Sequence, residues 1–132
     1  MLSKLTLIVL ALIMMVTQLA GCENSTVRVN WSGSSTPGHI EYHYTAFSGI
    51  ERQSFHVEAA QSLDLRYDVT VEKGTLTLKV IAPDGESLWE ETCSENASGA
   101  ISLAIPQDGL YTVNVEGETT GGRFNISWNA EN

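Results

Sequence analysis

A chain of 132 residues with 16 acids against 7 bases, a formal net charge of −9 and only two cysteines is long enough for one domain and too short for two. So acidic a balance disfavours binding to nucleic acid, whose phosphates are drawn to basic patches. Two cysteines allow one disulfide at most.

The first element is a leader. Met1 to Lys4 is a short positive start and Leu5 to Val16 an apolar run, the order of the n-region and h-region of a secretory signal peptide. The run falls short of the roughly 20 apolar residues a membrane-spanning helix needs. It ends at Leu19-Ala20-Gly21-Cys22, which resembles a bacterial lipobox. That resemblance implies cleavage between Gly21 and Cys22, a diacylglyceryl group on the Cys22 sulfur, and a membrane anchor on the extracytoplasmic face. Two acyl chains hold a protein stably where one holds it marginally. Glu23 stands where an aspartate would retain a lipoprotein at the inner membrane, so outer-membrane residence is open in a two-membrane envelope. The sequence does not fix the envelope type. With Cys22 acylated, Cys93 has no partner in its own chain, and is expected either buried and inert or bridging two chains.

The chain then divides into signal peptide 1–21, a short tether 22–26 and a single domain 27–132, whose net charge after cleavage is −10. A Ser/Gly/Pro-rich stretch from Ser32 to Gly38 has loop composition. Elsewhere apolar residues recur with period two. Val27, Val29 and Trp31 are followed by Ile40, Tyr42 and Tyr44, then by Phe55, Val57 and Ala59. Leu63, Leu65, Tyr67, Val69 and Val71 make the longest run. A Lys73-Gly74 turn leads to Leu76, Leu78 and Val80, and the Pro83-Asp84-Gly85 turn to Leu88 and Trp89. Ile101, Leu103 and Ile105 come next. Asp108-Gly109 precedes Tyr111, Val113 and Val115, and Gly121-Gly122 precedes Phe124, Ile126 and Trp128. About nine short strands with turns every 8 to 12 residues predict an all-β fold, an antiparallel, jelly-roll-like β-sandwich.

From about residue 74 to 128 the order of Leu76-Thr77-Leu78-Lys79-Val80, Asp108-Gly109-Leu110-Tyr111-Thr112-Val113 and Gly122-Arg123-Phe124-Asn125-Ile126 resembles the prepeptidase C-terminal type of accessory module. The resemblance implies a noncatalytic role, with Tyr111 packed at a strand corner.

For chemistry, no nucleophile elbow, zinc-protease helix, Cys-x-x-Cys pair or phosphate loop is present. No catalytic residue and no cofactor is therefore expected. Asp64, Asp68 and Glu72 read as a solvated sheet face. His39, Glu41 and His43 project from one strand face, and two imidazoles with a carboxylate suit zinc; neighbours on such a face lie about 7 Å apart, so all three meet one ion only if the strand bends, and the plainer reading is solvent-exposed polar residues opposite Ile40, Tyr42 and Tyr44. Trp89 is the tryptophan expected to face outward and to stack on a sugar, while Trp31 and Trp128 are in phase with the core. The functional expectation is a membrane-anchored, noncatalytic accessory or binding module of the cell envelope, with an envelope protein or cell-wall glycan as partner. Metal capture by His39, Glu41 and His43 and glycan binding by Trp89 are the alternatives.

Overall fold

The computed structural model describes residues 26–132, so the expected signal peptide, the expected Gly21/Cys22 cleavage site and Cys22 lie outside the described residues. Seven strands follow in order: β1 (Val27–Val29), β2 (Ser32–Thr36), β3 (His39–Val57), β4 (Ser62–Ile81), β5 (Ser87–Cys93), β6 (Ala97–Ala104) and β7 (Gly109–Glu131). All pairings are antiparallel. One continuous path runs β1-β3-β7-β4-β5, with β2 added to β3 and β6 added to β4.

The three central strands are 19, 20 and 23 residues long, and each serves two layers. β2 pairs with the start of β3, at His39–His43, and β6 with the start of β4, at Ser62–Val69. β1 instead pairs beyond residue 45 of β3, and β5 beyond residue 75 of β4. The first layer is therefore β2, β3, β7, β4, β6, and the second is β1, β3, β7, β4, β5. Between them lies one core, and Phe55 of the second layer meets Trp128 of the first with ring centroids 5.4 Å apart. This is the expected antiparallel sandwich.

The strands change layer at a shared level. Register slips on β3 between Tyr44 and Gly49, and on β4 between Val71 and Thr75, both opposite Gly117–Gly122 of β7. Each slip inserts a residue, so the inward phase changes. On β4 the buried set passes from Leu63, Leu65, Val69 and Val71 to Leu76, Leu78 and Val80; on β7 it passes from Tyr111, Val113 and Val115 to Phe124, Ile126 and Trp128. The expected turns at Lys73-Gly74 and Gly121-Gly122 are thus bends within continuous strands. A bulge and a turn both shift a period-two pattern, which is why about nine short strands are read where the described residues form seven. The Ser32–Gly38 stretch is likewise corrected, because most of it is β2. Its small polar residues pair along an edge where no core face is required of them.

Glycine is required at the bend. Gly122 has φ +137° and a Cβ there would collide with the Thr70 carbonyl; Gly74 has φ +67° and faces the carbonyls of Glu118 and Thr119 in the same way. The Pro83-Asp84-Gly85 turn forms as expected, with Gly85 N donating to the Ala82 carbonyl at 2.9 Å. Tyr111 is fully buried, and its hydroxyl donates to the Gln107 carbonyl at 2.7 Å, tying the strand to the loop before it. Cys93 is unpaired and buried, and burial, followed by the charge of Glu91, pushes its thiol pKa up and away from the reactive thiolate.

Gly122→Ala should lower unfolding stability by about 2 to 5 kcal/mol, from strain plus overpacking against backbone, seen as a lower urea midpoint. Ser127→Ala, on the outward face of the same strand, should stay within about 0.5 kcal/mol of the parent.

Candidate functional site

Residues paired across antiparallel strands share a face, so the register reads out the outward surface of the first layer directly. One row is Ser34, Glu41, Asn125, Asp68 and Ser98; the next is Ser32, His43, Arg123 and Thr70; a third is Thr36, His39, Ser127 and Arg66. These are almost entirely hydrogen-bonding side chains. They are polar for the reason that strands of a two-layer sandwich alternate, with Ile40, Ile126 and Val69 pointing the other way.

Several are already engaged with each other. His39 Nε2 lies 2.8 Å from Asn125 Oδ1 and 3.9 Å from Glu41 Oε2. Arg123 Nη2 donates to Asp68 Oδ2 at 3.3 Å. The strand pitch separates His39, Glu41 and His43 by about 7 Å per step, and among the described residues no three His, Cys, Asp or Glu side chains are grouped so as to hold a metal ion. The three candidate ligands share a face, but the fold does not gather them around a point.

Where the face reaches the bend it falls into an open cleft of about 350 Å³, lined by Asn30, His43, Thr45, Thr70, Glu72 and Arg123 among others. The bulges create it: Thr45 and Glu72 stand at the slips, where they have no partner residue in the β7 register. Asn30, held at φ +52°, reaches over from the β1 side and its Nδ2 donates to Thr45 Oγ1 at 2.8 Å. Tyr44 also lines the cleft. Burial pushes its phenol pKa up to about 12, with Thr120 offsetting part of the shift, although the Tyr44 and Thr120 hydroxyls each lack a partner in hydrogen-bond geometry.

Trp128 is buried on the central strand β7, whereas Trp31 and Trp89 lie toward opposite edges. Trp31 stacks on Tyr42 with centroids 4.4 Å apart, and the Arg28 guanidinium sits 4.5 Å above its ring. Arg28 is in turn held by Glu51 at 2.8 Å. Trp89 is half-buried on β5, opposite the buried Val80, with its ring centroid 5.6 Å from Tyr67. The register slips there as well, since Val80 pairs with Trp89 but Ile81 with Ser87, leaving Leu88 as the extra residue. That slip lets Leu88 and Trp89 both be half-buried. Trp89 therefore packs against the Tyr67 side of the sandwich edge.

No single-strand pattern points to Arg123, Asn125, Thr70 or Asn30, because their proximity arises from pairing between distant segments. The one signal available was the polar phase of each strand, which marks a wet face without saying which faces adjoin.

No family model matches the chain, and no curated protein matches it in sequence. A solved structure described as "CBM4 structure and function", a carbohydrate-binding module, is similar with a TM-score of 0.54 over 80% of this chain and 77% of that one, at 8% identity. Another, "BiXyn10A CBM1 APO", has a TM-score of 0.39, 17% identity and coverage of 84% and 90%. The first shows the β-sandwich fold alone.

Tyr44→Phe should keep or slightly raise stability at neutral pH, since it deletes a buried hydroxyl that has no partner. The folded-state phenol pKa is about 12 and the unfolded one about 10. The stability tied to the neutral phenol is thus complete below about pH 10 and is lost as pH rises toward 12. Chemical denaturation from pH 8 to 11.5 should show the parent losing stability above pH 10, and Tyr44→Phe losing less.

Proposed function

We propose that this chain is a lipid-anchored, extracytoplasmic and noncatalytic binding module of the bacterial cell envelope, and that its first-layer outward face and bend cleft hold a hydroxyl-rich ligand, a cell-envelope glycan. The observation that carries the reading is the three in-register rows of donors and acceptors running into a polar cleft of about 350 Å³. Sugar hydroxyls are oriented by such fixed polar groups on a rigid sheet. In this reading His39, Glu41 and His43 act as hydrogen-bonding groups and Trp89 as edge packing. The likeness of fold to a carbohydrate-binding module supports it. The anchor is supported by Leu19-Ala20-Gly21-Cys22 behind its apolar run.

The full chain in detergent micelles, applied to peptidoglycan sacculi and a panel of immobilised neutral polysaccharides, should be retained by at least one of them. His43→Ala combined with Asn125→Ala should weaken that retention about tenfold, the loss of roughly 1.4 kcal/mol of hydrogen bonding, with the unfolding midpoint unchanged. Retention by none of the panel removes the glycan reading. The anchor is tested separately: Cys22→Ala should move the protein from the membrane fraction to the soluble one, and a variant that still sediments after its leader is removed refutes lipidation.

A further inference from the structure

The four edge strands of the sandwich are not equally protected against pairing with another chain. β1 is three residues long and carries Arg28; β2 is short and contains Gly33 at φ +149°; β5 carries Glu90 and Glu91 beside a register slip. Charge, brevity and bulges are the usual devices that keep sheet edges apart. β6 has none of them. Ala97–Ala104 is eight residues without a charge, a proline or a bulge, paired with β4 in unbroken register along one side only. Its inward-phase residues Ile101 and Leu103 remain half-buried and pack on the core from this open margin.

We infer that β6 is the interface for a second copy of this chain, paired antiparallel with its own β6 about a twofold axis normal to the sheets. Such an interface is self-complementary. An axis through Ile101 sets Ile101 against Ile101, Leu103 opposite Gly99, and no charge against a like charge. The chain enters at the far edge, where Thr26 packs beside Gly49, and β1 belongs to the second layer. The twofold axis keeps both entry points in that layer and on one side of the dimer. Both copies can thus be tethered to one membrane by their second-layer side, with both polar first-layer faces directed away from it in a continuous ten-strand sheet. One strand pair is small beside the roughly 1,200 to 2,000 Å² of a stable interface, so pairing depends on two-dimensional confinement, which raises the effective concentration of one copy near another. The pairing surface is the β6 edge, while the extent of pairing rests on the membrane anchor proposed above, which both raises the local concentration and determines which side meets the membrane.

The test uses full-length protein in isolated membranes, in a Cys93→Ser background, with single cysteines introduced as Ala100→Cys or Ser102→Cys and joined by a short bis-maleimide. Ser34→Cys on the opposite edge is the control. A covalent species of twice the monomer mass should form from the two β6 variants about tenfold more than from Ser34→Cys, and adding Ala100→Lys to Ser102→Cys should abolish it. Equal yields from both edges, a product whose mass reveals a different protein, or cross-linking indifferent to Ala100→Lys would each overturn the second-copy interface. Fractionation of Cys22→Ala reports on the anchor independently.

Discussion

A straight strand of 20 residues would extend roughly 65 Å, far beyond the reach of a core built from about a hundred residues. β3, β4 and β7 attain such lengths because each bends once, and they bend at the same height. Hydrogen bonding imposes the coincidence. Three strands paired side by side cannot fold over unless every ladder opens at that level, and a bulge is the cheapest opening because it costs only one unpaired residue. Gly122 and Gly74 make this possible by letting β7 and β4 backbones approach where no side chain fits. The change of phase follows of necessity. A strand that turns from one layer into the facing one must present its opposite set of side chains if the same core is to be filled from both sides.

The same slip explains what the sequence reveals and what it conceals. Period-two alternation is a strong local signal, and Leu63 through Val71 or Phe124 through Trp128 disclose buried strands without any structure. The Pro83-Asp84-Gly85 turn is equally legible, because proline and glycine impose their dihedrals locally. Lys73-Gly74 is not distinguishable from a hairpin turn by the same logic: in both cases the apolar phase breaks beside a glycine. Only the partners of the flanking residues separate the two, and Leu76 and Val71 continue along the same β7 strand. Ser32–Thr36 was concealed for a different reason. A strand whose residues are all exposed carries no alternation to read, since neither of its faces touches the core.

The candidate site is still less local. His39, Glu41 and His43 share a face as strand geometry demands, but what surrounds them is decided by the register of β3 on β7 and of β7 on β4. Asn125 is hydrogen-bonded to His39 Nε2 and Asp68 is paired with Arg123, so one candidate ligand and one base of this face are already engaged by side chains from other strands. Trp89 shows the converse. Its sequence context, with two acids following, reads as exposed, yet the β5 slip turns it onto the Val80 side beside Tyr67.

Charge then acquires a direction. Residues 22–132 carry a formal charge of −10, and several of their six bases are committed at close range: Arg28 to Glu51, Lys79 to Glu116, Arg123 to Asp68. Acids stand on both layers, among them Glu41, Asp64 and Asp68 in the first and Glu90, Glu91 and Glu116 in the second, and the field of the net negative charge decays within about 10 Å at 0.1 M salt. Close to an anionic lipid surface that field repels the domain from the very plane to which a lipidated Cys22 would hold it. Among the longer edge strands β6 stands apart, because Ala97–Ala104 contributes no charge whereas β5 carries Glu90 and Glu91. β6 thus combines the absence of charge with eight residues of unbroken register and one open side, a combination that the shorter β1 and β2 and the acidic β5 do not share.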